Sequence, residues 1–425
     1  MTNFRSLAVF LALTAAFAVD GLAGGFQLNE IGARAMGQGG AFAARGWDVS
    51  TMFFNPAGLA QQNGFRASVG GTLILPKSTF TSPTGASTDM VSQTFVPPNA
   101  YAAYGMENGL QFGVGFFVPF GLGTEWPASW QGRYFAVKTE LHDFVLNPTV
   151  AYKISDAFMI GGGLSYMWST VKLGYNIATY STLAPPTPSA TDGSVALDAN
   201  GHGWGFNLGA IYKPTPALSF GASYRHTTTV DYTGTATFSN MQALSAFFPG
   251  GTGTTTIKFP NQIWAGVSYQ VSTALSLELD YQWTGWSTFD TLAITLPNGP
   301  LFPIPAPHPL QTATKSPKNW KDASMVRVGA EYQANEWAFR LGFIYDITPQ
   351  PNQYVEPLLP DANRFSGTIG IGYKFAEHWS VDAAYQLTLF NERTVTGPTT
   401  GDLNKFPGTY KSSANLFALN LGFMM

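Results

Sequence analysis

An alternation of apolar and polar residues recurs along almost the whole chain and limits what it can fold into. In the clearest run, residues 275–283, every second residue is leucine, tyrosine or tryptophan, and Glu278, Asp280 and Gln282 stand between them. Because successive side chains of a β-strand point to opposite faces, this period predicts half-buried strands. About fourteen such runs follow one another from residue 65 to residue 424, so the sequence predicts an all-β fold.

The composition shows which kind of β protein this is. Only 11% of the 425 residues are charged, against about 25% in ordinary soluble domains. Mean hydropathy is nevertheless only +0.02, and no uninterrupted apolar stretch long enough for a membrane-spanning helix follows residue 24. Since only helices and closed barrels satisfy the backbone in lipid, a membrane protein of this sequence must be a β-barrel.

The first 23 residues are expected to be a secretory signal peptide. Arg5 provides the positive charge, residues 7–19 are apolar, and Gly21 and Ala23 are the small residues of a cleavage site, with cleavage after Ala23 or Gly24. A membrane anchor is the alternative, but the apolar run is shorter than the ~20 residues a spanning helix needs. The mature chain is therefore expected to be exported.

The connections between the runs are sorted by length. Short turns such as residues 107–109 and 155–156 alternate with long loops such as 122–136, 178–201 and 233–253. Short periplasmic turns and long outer loops are typical of outer-membrane barrels. We therefore expect residues 65–425 to form a 14-stranded antiparallel transmembrane β-barrel. It should lie as a monomer among outer-membrane lipids of a Gram-negative bacterium.

Residues 24–64 do not fit this pattern. They are rich in glycine, which disfavours a helix, yet they contain large apolar residues including Phe26, Met36, Phe42 and Phe54. A free tail would leave this apolar surface in water. We expect the segment to be an N-terminal hatch domain that plugs the barrel from the periplasmic side.

Nothing in the sequence indicates an enzyme, a metal site or a cofactor. The chain has no cysteine, its five histidines lack metal-ligand spacing, and its net charge of −3 does not favour nucleic acid. His142 and Asp143 are adjacent, so on a strand they should point to opposite faces. An outer-membrane hydrolase and a structural or adhesive barrel remain alternatives to be tested.

Two further groups of residues attract attention. Charged residues within the strands should face the lumen, because arginine facing lipid near the midplane costs about 2–4 kcal/mol; they are Arg225, Glu278, Asp280, Arg327, Glu331, Arg340, Asp346 and Asp382. In the loop at residues 237–249, helical spacing relates Met241, Leu244, Phe247 and Phe248. This short helix could form a low-affinity groove for apolar ligands or pack against the barrel rim.

Several segments resemble the FadL family of outer-membrane transporters of long-chain fatty acids and other hydrophobic compounds. The resemblance lies in residues 25–30 (Gly-Phe-Gln-Leu-Asn-Glu), 55–57 (Asn-Pro-Ala), 319–323, 337–342 and 360–365. It implies a 14-stranded barrel with an N-terminal hatch. It also implies passive uptake by lumenal binding, hatch movement and lateral exit through a gap at a kink in the third strand.

The resemblance also implies roles for particular residues. The kink would be Pro119, Phe120 and Gly121, and the Asn55-Pro56-Ala57 motif would be the gate that faces it. Phe26 would lie near the lumenal pocket with Asp346, and Lys321 would pair with a ligand carboxylate. The family's second basic partner is replaced by Tyr175, with Lys172 nearby, which leaves open whether the ligand is a long-chain fatty acid or a neutral hydrocarbon.

Overall fold

The computed structural model describes residues 24–183, 185–297, 313–396 and 406–425. The predicted signal peptide, residues 1–23, lies outside these ranges, as does the loop at 298–312. Within the described ranges, no helix is both long and apolar enough to cross a membrane.

Fourteen antiparallel strands form one closed barrel, which confirms the predicted fold. The first seven are β1 (Gly64–Thr81), β2 (Ser87–Asp89 and Pro98–Gly105), β3 (Leu110–Phe117 and Gly121–Glu125), β4 (Lys138–Lys153), β5 (Phe158–Ile177), β6 (Gly193–Thr215) and β7 (Leu218–Arg225 and Thr228–Ser239). The others are β8 (Gly251–Phe259 and Gln262–Gln270), β9 (Leu275–Thr284 and Thr291–Thr295), β10 (Ala313–Pro317 and Ala323–Ala334), β11 (Trp337–Asp346), β12 (Arg364–Lys374), β13 (Trp379–Phe390 and Arg393–Val395) and β14 (Gly408–Met424). The barrel closes where β1 pairs with β14, from Arg66 opposite Met424 to Thr81 opposite Thr409.

Some strands extend beyond the alternating runs into the segments that the sequence predicts to be loops. β6 begins at Gly193 and β7 continues to Ser239, and these extensions pair with each other. Their outward residues are polar, as at Asp198. Beyond the hydrocarbon layer a strand no longer needs an apolar outer face, so the pattern that reveals the strands is lost there.

The barrel's outer face is apolar over most of its height. Large side chains exposed there include Leu164, Trp204, Leu208, Phe339, Leu341, Ile369 and Leu419. The strand residues between them point inward and many are polar, including the predicted lumenal charges: Glu278, Asp280 and Arg327 are fully buried. This arrangement fits lipid outside and a polar, filled lumen inside.

Residues 24–62, called here the N-terminal segment, fill the lumen. They contain the short helices α1 (Ala33–Gly37) and α2 (Thr51–Phe54) and a 3-10 helix at Pro56–Gln61. The segment reaches opposite walls: Ala33 donates its backbone N–H to Asn420 of β14 (2.9 Å), and Ala44 donates to Glu278 of β9 (2.8 Å). Almost all of its side chains are buried.

Glycines in the wall allow this close fit. A Cβ at Gly209 of β6 would collide with the Asn55 side chain, and one at Gly161 of β5 would meet the Pro56 carbonyl carbon at 2.6 Å. The N-terminal segment therefore approaches the β5–β6 backbone more closely than any side chain on these strands would permit.

We predict that Gly209→Val destabilises the folded barrel, because the added side chain must displace Asn55. Overpacking of this kind costs about 1–3 kcal/mol, measurable as a lower thermal unfolding midpoint in detergent. The matched control is Gly367→Val on β12, where a Cβ would meet nothing within 4 Å. Equal midpoints for the two variants would contradict the close packing.

Candidate functional site

The third barrel strand is broken at the predicted kink. β3 is interrupted between Phe117 and Gly121. Buried and exposed residues no longer alternate there, since Phe117 through Phe120 are all buried. Pro119 has no N–H to donate to a neighbouring strand. Beyond the break, the segment Gly121–Glu125, called here the displaced segment of β3, forms its ladder with β4.

The neighbouring strand β2 is interrupted at the same height. Its residues 90–97 stay bonded to β1, through Met90 to Ser78 and a two-way pair between Phe95 and Ile74. Pairing between β2 and β3 stops at Ala100 opposite Phe116. Above that point, a single backbone bond among the described residues joins them again, from Val91 N–H to the Glu125 carbonyl (2.7 Å). We call this interruption, between residues 90–97 and 117–124, the lateral opening.

The N-terminal segment takes the place of the missing partner strand. Leu28 donates its N–H to the Pro119 carbonyl and Gly121 donates to the Phe26 carbonyl, both at 2.9 Å. Gln27 and Phe120 thus form an isolated antiparallel bridge. Residues 26–28 therefore lie directly behind the lateral opening and satisfy backbone groups that would otherwise be buried without partners.

The Asn55-Pro56-Ala57 motif lies elsewhere. The Asn55 amide donates to the carbonyls of Ala43 (2.7 Å) and Ala210 of β6 (3.1 Å), and its oxygen accepts from the Ala57 N–H (3.1 Å). These bonds cap the 3-10 helix and tie it to β6. The backbone bonds to the kink come from residues 26–28 instead. The gate role of the Asn55-Pro56-Ala57 motif stays a prediction.

Phe26 is the centre of an aromatic cluster between the N-terminal segment and the barrel. Its ring centroid lies 4.7 Å from that of Trp286, 5.5 Å from Phe289, 5.7 Å from Trp320 and 6.0 Å from Phe120. Each such pair contributes about 0.5–1.5 kcal/mol beyond the area it buries. The cluster joins residue 26, the β3 kink and the interruptions of β9 (residues 285–290) and β10 (residues 318–322) into one apolar unit.

A cavity of about 400 Å³ lies beside this unit. It is lined by residues 25–30, by strands β1, β3 and β4, by residues 90 and 94–98 of β2, and by β11 to β14. Its lining includes Leu141, which points into the barrel, and His142 and Phe144, which lie on the other face of β4. One space therefore touches both the inner and the outer side of the wall at the lateral opening.

The cavity has a polar end formed by residues that sequence reasoning only partly identified. Asp346 lines it and accepts from the Arg364 guanidinium (2.6 Å). Asp361 accepts from the Gly25 N–H (2.9 Å) and the Thr348 hydroxyl (2.6 Å), and Glu30 accepts from Gln386 (3.0 Å). Asp361 and Arg364 stand in the segment 360–365 that carried part of the family resemblance, so the signal for them was present.

Three basic or phenolic residues proposed from the resemblance do not lie in this cavity. Lys321 is exposed, while its neighbour Trp320 points into the aromatic cluster. Lys172 is on the outer face of β5, where its ammonium group lies 3.7 Å from Asp198. Tyr175 points inward and packs against the lumenal core, near the end of β5 that leads into the long loop predicted at residues 178–201. Their ligand roles stay predictions.

The outer-loop residues form a helix, as predicted, but they are packed rather than open. The 3-10 helix Gln242–Phe247 places Met241, Leu244 and Phe248 in the buried core, and Phe247 packs against the same core. The Phe248 ring lies 5.4 Å from that of Phe238 on β7. This matches the rim-packing alternative; their role in a ligand groove stays a prediction.

Buried charges anchor the rest of the N-terminal segment. Asp280 accepts from the backbone N–H groups of Phe42 (2.7 Å) and Ala43 (2.9 Å), and Glu278 forms an ion pair with Arg45. Near the periplasmic end, Glu331 binds Arg34 (2.8 Å) and Arg340 (2.6 Å). These contacts involve residues 34–45, whereas residues 26–28 are held by the kink, by the aromatic cluster and by an uncharged bond from Gln282 to Gln27 (2.9 Å).

Together these features define a barrel with an interrupted wall, a cavity at the interruption and its own N-terminal segment in the lumen. Residues 14–424 match the family described as outer membrane protein transport protein (OMPP1/FadL/TodX). The chain belongs to this family of outer-membrane transporters of hydrophobic compounds.

Relatives and solved structures agree with this assignment. The long-chain fatty acid transport protein of Escherichia coli K12 is 26% identical over 416 residues, which cover 89% of this chain and 90% of that protein. Outer membrane protein P1 of Haemophilus influenzae is 25% identical, covering 94% and 95%. A FadL homologue of Pseudomonas aeruginosa superposes with a TM-score of 0.80 at 20% identity, covering 95% and 99%. The toluene transporter TodX of Pseudomonas putida gives 0.72 at 18%, covering 93% and 98%.

We predict that Asp280→Leu loosens residues 42–45, because two buried N–H groups lose their acceptor. Each unsatisfied group costs about 1–3 kcal/mol, so the thermal midpoint should fall and the Phe42 and Ala43 amides should exchange hydrogen faster. Asp156→Asn is the control, since Asp156 lies in an exposed turn, where it pairs with Lys153. Unchanged exchange at residues 42 and 43 would refute the anchoring role.

Proposed function

We propose that this protein carries hydrophobic small molecules passively across the outer membrane, from the cavity behind the β3 kink sideways through the lateral opening. The observation that carries the proposal is the cavity itself, which is lined both by residues 25–30 of the N-terminal segment and by His142 and Phe144 on the outward face of β4. An apolar molecule leaving there would enter the lipid layer without crossing water. No energy-coupling segment is needed if consumption inside the cell maintains the gradient.

Passage requires residues 26–28 to move, because they close the inner side of the lateral opening. The charge anchors at residues 34–45 and the cap at Asn55 would stay in place. Residues 24 and 25 are glycines, and Gly25 has φ of 70°, a conformation that only glycine adopts readily. In this proposal, the hatch movement is local and pivots at these glycines, while Asn55-Pro56-Ala57 fastens the segment to β5 and β6.

The relatives differ in the compounds their names give, long-chain fatty acid for one and toluene for another. The charges in the cavity of this chain favour a neutral ligand. Three carboxylates line it, Glu30, Asp346 and Asp361, and one Asp346 oxygen is buried without a hydrogen-bond partner. Arg364 is already paired with Asp346, and Lys77 is exposed at the cavity edge. A buried carboxylate ligand would lack a dedicated cation.

We predict that the purified protein retains methyl oleate more strongly than oleate. The two probes share chain length and double bond, so only the charge differs. An ionised head group without a cation should cost at least about 1.4 kcal/mol, or about tenfold in affinity. Competition measured by mass spectrometry of the bound fraction tests this, and a preference for oleate would show that the ligand is a fatty acid.

We predict that restoring donors at the lateral opening reduces uptake. In the variant Pro97→Val/Pro98→Val/Pro119→Val, the three prolines become residues that can join a ladder and favour strands. Cells expressing it in a host that lacks its own fatty acid transporter should take up labelled methyl oleate more slowly. Pro216→Val, in the exposed turn between β6 and β7, is the control. Wild-type uptake by the triple variant would contradict lateral exit.

A further inference from the structure

The lateral opening is not empty, and the side chain that fills it comes from β2. Phe95 stands in the stretch between the two segments of β2, where it exchanges both backbone hydrogen bonds with Ile74 of β1 (2.8 and 3.0 Å). Directly opposed residues of an antiparallel pair point to the same face. Ile74 packs in the lumen against the cluster around Leu416, so Phe95 also points inward, while its neighbour Val96 is exposed.

The Phe95 ring lies against the outer face of the displaced segment of β3. Gly123 pairs with Glu140 and Gly121 pairs with His142, so both glycines share the outward face of β4. A Cβ at Gly123 would collide with the Phe95 ring, and a Cβ at Gly121 would meet Leu28 at 2.9 Å. The ring centroid of His142 lies 6.2 Å from that of Phe95. On one face of the segment, Gly123 therefore leaves room for the Phe95 ring and Gly121 leaves room for Leu28. We call this space the Gly121–Gly123 slot.

We propose that Phe95 is the residue that sets the cross-section of the lateral opening, with its ring packed in the Gly121–Gly123 slot. This rests on the proposed lateral exit and adds to it a size limit. Phe95 is held by its backbone to β1 rather than to β3, so its ring can turn out of the slot without breaking a ladder bond. Slender molecules, such as unbranched alkyl chains and single rings, pass beside the turned ring, and fused polycyclic molecules do not.

The test is a size series at position 95 in the full-length protein, expressed in a host without its own transporter. Influx of pyrene, a fused four-ring probe, is compared with influx of methyl oleate. From Phe95 to F95L to F95A, pyrene influx should rise step by step to about tenfold, the scale on which a steric pocket discriminates, while methyl oleate influx changes much less. F95W should lower influx of both probes.

Controls separate this proposal from the one it rests on. Phe112→Ala removes an exposed ring from the lipid face of the same β3 strand and should leave both rates unchanged. Heat-modifiable migration of each variant shows that the barrel is folded, and F95L keeps an apolar contact if F95A proves unstable. Equal pyrene influx in folded wild type, F95L and F95A would overturn the role of Phe95. If the variant Pro97→Val/Pro98→Val/Pro119→Val still took up methyl oleate more slowly than wild type, lateral exit would stand without the role of Phe95.

Discussion

The structure depends on the requirement that every backbone N–H and C=O group in a lipid-embedded wall has a partner, since each unsatisfied group there costs several kcal/mol. A closed antiparallel barrel meets this requirement through its ladders, and in the described part of the chain the ladder between β2 and β3 is interrupted. There the chain uses its own N-terminal segment, which exchanges hydrogen bonds with Pro119 and Gly121. The N-terminal segment thus supplies hydrogen-bond partners that the interrupted wall lacks.

This dependence explains why the N-terminal segment is fixed unevenly. Residues 34–45 are held by buried carboxylates on β9 and β10, and Asn55 is held by β6. Such contacts are strong in a lumen shielded from water, because breaking one leaves a buried polar group unpaired. Residues 26–28 instead depend on aromatic packing, two backbone bonds to the kink and one bond between uncharged side chains, from Gln282 of β9 to Gln27 (2.9 Å). An apolar ligand could replace that packing, which it could not do for the ion pairs.

The charged residues that line the cavity bear on which ligands it can accept. Its polar end is made of acids that are already bonded to the protein, among them Asp361 to Gly25 and Asp346 to Arg364. These bonds hold the start of the N-terminal segment and the β11–β12 wall together. In the proposed function, the same acids make the site unfavourable for an anion and so favour a neutral ligand.

The sequence by itself determined the barrel: alternation of period two fixed the strands, and the sorting of short and long connections fixed their number and the ends they share. Alternation also placed Glu278, Asp280 and Arg327 in the lumen, because burial of each strand residue follows from its parity. Pro119 and Gly121 marked the break for a similarly local reason, the loss of a donor and of a side chain.

Only the tertiary structure decided what meets the break. Residues 26–28 and the segment around Asn55 both contain apolar residues and both lie close to glycines. Nothing local distinguishes which of the two segments reaches β3. Lys321 and Trp320 are adjacent, and their opposite orientations depend on the packing around Phe26. Phe95 carries no sequence signal beyond the nearby Pro97-Pro98, because its proposed role comes from a glycine slot on the neighbouring strand β3. Long-range contacts of this kind are set by the closed shape of the barrel rather than by any local pattern.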